Sequence, residues 1–204
     1  MYIAGSKTTD DWKLMRAALL LGGNVSLWKE ATSEFFHARL FLRYLDPIQC
    51  LQENGTYQGE GFSIVAIQCT LIEFLESTLR GLTYRYLRGR EELREYEYSS
   101  SRDLFIDFLT THQPFDKFFD KAIAEDFYEG IRCGLLHEAQ TKNGWCIWAK
   151  SPTCAIIDAS ARIIYRDDFQ QALLTFTSWY EEQLPRDALL QEAFIRKFDV
   201  LATM

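Results

Sequence analysis

The chain has 204 residues, enough to bury a sizeable core as one domain, or one domain with a small appendage. Its composition, 48% hydrophobic and 15% aromatic with four prolines, excludes a disordered chain. The formal net charge of −7 excludes broad, non-specific nucleic-acid binding, which needs clustered Lys and Arg, and leaves room only for a local basic patch.

In chain order, Thr8-Thr-Asp-Asp opens a short helix as an N-cap with acidic first-turn residues, and Gly22-Gly23-Asn24 closes it. Ser26 caps a second helix to about Leu51, with Leu27, Ala31, Phe35, Ala38, Leu42 and Leu45 at helical spacing and Pro47 expected to kink or end it. Glu53 to Gly61 is a loop rich in breakers. Phe62 to about Leu87 is apolar almost all round, which predicts a central helix packed by several neighbours. Ser99-Ser-Ser101 caps a short helix to about Thr110. Pro114 starts the next one, which carries Phe115, Phe118, Phe119, Ile123, Phe127 and Ile131 up to a turn at Asn143-Gly144.

The texture then changes. Trp145 to Ala149, Cys154 to Ile157 and Arg162 to Tyr165 are short β-type runs, the last two joined by Asp158 to Ala161 like a hairpin. A helix from about Asp167 to Gln183 follows, and Pro185 starts or precedes a final helix. The expectation is a single, mainly α domain over 1–204, with a helical core at 26–142, a small β-hairpin or meander insert at 145–165 and C-terminal helices at 166–204.

Cys50, Cys69, Cys133, Cys146 and Cys154 are odd in number, show no C-x-x-C pair and mostly sit in apolar runs, which predicts free, reduced, buried thiols in a cytoplasmic protein. The N-terminus lacks a basic signal-peptide region, and Ala17 to Leu21 is too short to span a bilayer, so no membrane association is expected. Cys133 and His137, four apart, would share a helix face and could take Cys146 and Cys154 as further zinc ligands. That spacing matches no common zinc knuckle, so neither metal nor cofactor is expected. His37 and His112 are isolated and suggest no triad. No P-loop, dinucleotide-binding glycine motif or nucleophile elbow is present.

Chemistry concentrates in Phe127-Tyr-Glu-Gly-Ile-Arg132-Cys-Gly-Leu-Leu-His137-Glu138, where a fixed cation and a titratable imidazole stand five apart in a helix. At ~100° per residue Ile123, Ala124, Phe127, Ile131, Gly134 and Leu135 form the core stripe, and Arg132 and His137 lie ~140° apart. They flank an opposite side of Glu129, Gly130, Cys133 and Leu136, too apolar for plain solvent and suited to another helix or a second copy of the chain. Glu129 and Glu138 adjoin the pair and either orient it or form solvated salt bridges. On the central helix, Glu76 is four residues before Arg80, as in an ordinary ion pair, and Glu73, enclosed by apolar neighbours, would need a partner such as Arg132. Arg80, Arg85, Arg88 and Arg90, with Tyr84 and Tyr86, either grip RNA phosphates and stack a base or form a solvated helix end.

Arg132-Cys-Gly-Leu-Leu-His137 resembles the R-x(4-6)-H motif of the HEPN superfamily, placed late in a run of helices as it is there; the resemblance covers roughly residues 26 to 142. It implies a HEPN-like helical bundle and a metal-independent endoribonuclease of the toxin-antitoxin or phage-defence kind, with Arg132 and His137 catalytic and two copies of the motif meeting in a homodimer. RNA is the implied substrate, and an antitoxin or other protein the implied partner. Other members bind nucleotide or serve assembly without catalysis. Cys133 stands where active members commonly carry Asn, Asp or His.

Overall fold

The protein is described from a computed structural model covering residues 1–203. It is mainly helical, as the periodicity predicts. The chain divides into two compact units, one of Met1–Leu45, Phe74–Ser101 and the residues from Ser178 on, the other of Asp46–Glu73 and Arg102–Thr177. These units cut across the three segments drawn from the sequence.

In the first unit, strands β1 (Tyr2–Ala4) and β2 (Lys7–Thr8) form a small antiparallel ladder ahead of α1 (Thr9–Ala18). Thr8 caps α1 reciprocally: its hydroxyl accepts from the Asp11 N–H at 3.3 Å, and the Asp11 carboxylate accepts from the Thr8 N–H at 2.7 Å. The second helix begins at Asn24, whose side chain accepts from the Ser26 N–H at 2.9 Å, so Asn24 and not Ser26 is its cap.

The helical run then continues as α2 (Val25–Ala31), a π-helical turn (Thr32–His37), α3 (Ala38–Leu40), a second π turn (Phe41–Leu45) and, in the other unit, α4 (Asp46–Asn54). Pro47 therefore does not end it. Pro47 lies in the first turn of α4, where a missing N–H costs least.

The core of this unit is aromatic. Trp12 sits 5.1 Å from Phe35, 5.7 Å from Phe194 and 5.4 Å from Phe198, ring centre to ring centre, and its indole donates to Asp199 at 2.8 Å. Phe194 and Phe198 belong to α10 (Ala188–Leu201), which Asp187 caps, so Pro185 precedes this helix as one of the two expectations had it.

The central helix α5 (Glu60–Leu79) starts in the second unit and ends in the first. It stops at Leu79, not near Leu87, because Gly81 turns the chain in the left-handed region at φ +65°. By length and hydropathy alone it would cross a bilayer, but 56% of its most apolar window is buried inside the protein, as for a core helix. Beyond Gly81, β3 (Thr83–Tyr84) pairs in parallel with β4 (Glu97–Tyr98).

In the second unit α6 (Ser101–Thr111) follows the predicted cap region. Pro114 leads only into a short 3-10 turn (Phe115–Lys117). The next helix, α7 (Lys121–Phe127), begins at Asp120, whose side chain accepts from the Ile123 N–H at 2.8 Å.

The predicted β insert is a three-stranded sheet of β5 (Cys146–Trp148), β6 (Ile157–Asp158) and β7 (Ile163–Tyr165) in the order β5-β7-β6. The β6–β7 pair is the expected antiparallel hairpin. Its turn is organised by Asp158, which accepts from the Ala161 N–H at 2.9 Å and the Ser160 hydroxyl at 2.7 Å. β5 runs parallel to β7, and the last strand leads directly into α9 (Arg166–Gln183).

All five cysteines are free, but the expectation of buried thiols fails for three of them: Cys50, Cys146 and Cys154 are exposed, Cys133 is half-buried and only Cys69 is buried. The apolar runs that hold them alternate in facing, and Cys146 falls on an outward position of β5.

Candidate functional site

The helix that carries Arg132 and His137 is not a uniform α-helix. From α7 it passes into a π turn (Tyr128–Cys133) and then into α8 (Gly134–Glu138), which ends where Ala139 turns left-handed at φ +53°. Bonds of the i→i+5 type advance each residue by less than the α-helical ~100°, so the helical-wheel angles do not carry through this turn.

The core stripe is nevertheless largely buried at Ala124, Phe127, Ile131 and Gly134, with Ile123 and Leu135 half-buried. The opposite side is partly covered by the chain's own loop after α8. The Lys142 N–H donates to the Gly130 carbonyl at 2.7 Å, and Trp145 lies so close that a Cβ at Gly130 would stand 2.3 Å from its Cδ1. At Gly134 a Cβ would meet the Gln140 carbonyl oxygen at 2.5 Å. Glycine at both places is what lets the loop lie against the helix.

Asp126 holds this arrangement together. Its carboxylate accepts from Asn143 at 3.0 Å, from the Trp145 indole at 3.1 Å and from Arg162 at 3.0 Å. Burial alone would raise its pKa, but these three donors outweigh burial and hold the carboxyl below its ordinary range.

Within this frame Arg132 is mostly buried, 20% of its side chain exposed. Its Nη2 lies 4.0 Å from Oε2 of Glu73 and its guanidinium 5.3 Å from the centre of the Tyr128 ring. The pairing of Glu73 with Arg132 that the sequence suggested is therefore present. Cys69 is packed nearby, and burial pushes its thiol up to about 12, with opposing influence from Arg132, so it stays protonated.

His137 lies in the last turn of α8, exposed to solvent, and Leu136 beside it is 62% exposed. Glu129 is exposed. Glu138 makes an ion pair with Lys142, four residues on, whose hydrogen bond and charge lower its carboxyl pKa. Glu138 thus takes the solvated salt-bridge side of the alternatives posed by the sequence, and Glu129 faces solvent. Of the six residues singled out, the structure gathers Arg132 and Glu73, sets Cys133 half-buried in the same π turn, and leaves Glu129, His137 and Glu138 outward.

The basic segment belongs to the first unit. Arg80 lies 3.4 Å from Glu76, its predicted partner, and Arg85 reaches Glu97 at 3.2 Å and Glu91 at 3.6 Å. Arg88 and Arg90 are exposed on either side of Gly89, which turns at φ +61°. Acids thus offset half of the predicted phosphate-binding charge. Among the described residues no group of three or more His, Cys, Asp or Glu side chains gathers to hold a metal ion.

Two arrangements escaped the sequence. Nδ1 of His37 lies 2.8 Å from Oε1 of Glu181, and the imidazole stacks on Phe41 at the edge of a groove of about 470 Å³ lined by Lys29, Ser33 and Ser178. In the second unit, Arg166 is buried against Glu60 at 3.1 Å. The partners are 144 and 106 residues apart, and no local pattern signals either pairing. No family model, curated protein or solved structure matches the chain.

Proposed function

We propose that the chain is a HEPN-like, metal-independent endoribonuclease of a toxin-antitoxin or phage-defence setting, acting in the cytoplasm as a homodimer and restrained there by an antitoxin or other protein partner. The observation that carries the reading is the contrast on one short helical stretch: Arg132 is held in place by Glu73 and the Tyr128 ring, while His137 is presented to solvent.

In this reading a guanidinium fixed before substrate arrives holds the scissile phosphate and offsets charge as it develops. An exposed imidazole takes the proton from the ribose 2'-hydroxyl, whose oxygen attacks phosphorus, and the 5'-oxygen leaves with a proton from a second imidazole. One His137 cannot fill both roles at once. A second copy supplies the other, and exposed Leu136 beside His137 gives that copy an apolar contact.

The alternative, a non-catalytic HEPN-like module for nucleotide binding or assembly, draws support from the same Glu73, whose carboxylate already offsets the Arg132 charge, and from Cys133 at the usual polar position. The two readings separate in one experiment: RNA cleavage in EDTA by the wild type, Arg132→Ala and His137→Ala, with folding matched by circular dichroism. Cleavage by the wild type that disappears in both variants supports the enzyme. Wild type that cleaves none of several RNAs, yet sediments as a dimer that Leu136→Asp dissociates, sinks the enzyme in favour of the module.

A further inference from the structure

Where α5 begins, the second unit contains a cavity of about 160 Å³ with an unusual lining: the buried guanidinium of Arg166 and three exposed aromatic rings, Tyr57, Phe62 and Trp148. Tyr57 is 79% exposed and Trp148 55%, whereas only 6% of the Arg166 side chain meets solvent. Large exposed rings around a concave site are uncommon without a ligand to cover them.

The guanidinium is only partly satisfied. Nη1 donates to Glu60 at 3.1 Å, and the cation lies 5.5 Å from the Tyr57 ring centre. Nε is shielded from solvent and makes no hydrogen bond: Asp167 Oδ1, at 3.5 Å, attracts it by charge but lies outside hydrogen-bond geometry, and it already accepts from Gln52 at 2.8 Å. Among the described residues no hydrogen bond reaches Nη2. Nη2 is not among the solvent-sealed atoms and is the donor a ligand can reach, and a bound acceptor recovers the free energy that an unpaired donor in a concave site costs. Gly61 keeps the approach open, since a Cβ there would stand 3.1 Å from the Ile147 side chain and 3.3 Å from Arg166 Nη1.

Charge narrows the class of ligand. One cation, Arg166, faces two carboxylates, Glu60 and Asp167, so a free anion such as phosphate enters against net repulsion. A neutral group with acceptor atoms and a flat face meets no such barrier. A peptide group supplies a single acceptor and only a small flat face for the rings. A nucleobase supplies both, and guanine sets two acceptors, O6 and N7, side by side to match two adjacent guanidinium donors, whereas adenine puts an amino donor beside N7.

We propose that this cavity binds a guanine base, carried by a nucleotide or by single-stranded RNA, with the ring stacked on Trp148 and Tyr57 and its Hoogsteen edge on Arg166. The proposal does not depend on cleavage by Arg132 and His137, and its test contains no cleavage step.

Calorimetric titration of the full chain with guanosine, adenosine and inorganic phosphate provides that test. Guanosine binds saturably, adenosine roughly fivefold to a hundredfold more weakly because a donor faces a donor, and phosphate alone gives no binding. Trp148→Ala, at an exposed position that folding tolerates, weakens guanosine by a similar roughly fivefold to a hundredfold through lost stacking. Arg166→Lys keeps a charge for Glu60 but removes the fork, and abolishes the preference for guanosine over adenosine. If that variant fails to fold, the wild-type ratio and Trp148→Ala still decide. Equal affinity for adenosine, unchanged binding in Trp148→Ala, phosphate binding alone, or no guanosine saturation at millimolar concentration overturns the proposal. Comparing UUGUU with UUAUU identifies the source: a guanine-dependent gain over guanosine itself marks RNA, and affinity equal to guanosine marks a free nucleotide.

Discussion

Alanine at Gly130 forces a direct test of how the Arg132 helix is held. Its Cβ would stand 2.3 Å from Cδ1 of Trp145 and 3.1 Å from the Lys142 carbonyl oxygen, so the indole has to move. That ring is buried, packs edge-on against Phe127 at 5.2 Å and donates to Asp126 at 3.1 Å. Overfilling a packed site costs about 1–3 kcal/mol, and pulling the indole N–H from a carboxylate costs about 1.5–3 kcal/mol. Alanine's better helix propensity returns about 1 kcal/mol. The net is a destabilisation of about 1.5–5 kcal/mol, centred near 3; for a chain of this size the central value lowers Tm by about 6–12 °C and the full range by about 3–20 °C. Thermal unfolding followed by far-ultraviolet circular dichroism, with tryptophan fluorescence as a second probe, measures it. A Tm unchanged within about 2 °C, or raised as helix propensity alone demands, refutes the close approach of Trp145 to the helix.

Asp126 predicts an acid limb. Its native pKa lies below the ordinary 3.8, so its contribution to stability is complete above the unfolded value of ~3.9 and is lost as pH falls through the lower native value. Asp126→Asn should flatten stability against pH below about 4, and an unchanged acid slope in urea titrations contradicts the three-donor cluster. Lys197 is buried and donates to the Ser77 hydroxyl at 2.7 Å and the Leu82 carbonyl at 2.9 Å, so Lys197→Met strands polar groups and should cost about 2–4 kcal/mol in urea unfolding. Under native conditions a thiol-labelling reagent should modify Cys50, Cys146 and Cys154 rapidly and spare Cys69 until unfolding; rapid labelling of Cys69 speaks against its burial.

What the sequence disclosed was local. The Thr8 cap with its acidic first turn and Glu76 with Arg80 state their structure within a few residues and are found as read. The apolar run from Phe62 is a helix as read, although it ends at Leu79 and not near Leu87. The π turns were not legible, because an extra residue per turn leaves a hydrophobic run looking helical while it shifts every later side chain around the axis. The core stripe of the helix that carries Arg132 and His137 is buried or half-buried all the same, whereas the cover on the opposite side comes from the chain's own loop, which no wheel shows. The cover over Gly130 depends on a loop that returns fifteen residues later, and β3–β4 on two-residue strands too short to alternate. His37 gains its carboxylate only through tertiary folding, so a residue that reads as isolated is paired. The Glu73–Arg132 contact was anticipated for a general reason: a carboxylate among Ile72, Phe74 and Leu75 needs a cation.

The ring cluster of Trp12, Phe35, Phe194 and Phe198 also sets a timetable for biosynthesis. Trp12 leaves the ribosome roughly ten to forty seconds before Phe194 and Phe198 at ordinary elongation rates. For that interval α1 and the helical run after it have no permanent cover for their buried rings. A nascent chain stalled before α10 should therefore be a good client for chaperones that recognise apolar segments, and emergence of α10 should end that dependence.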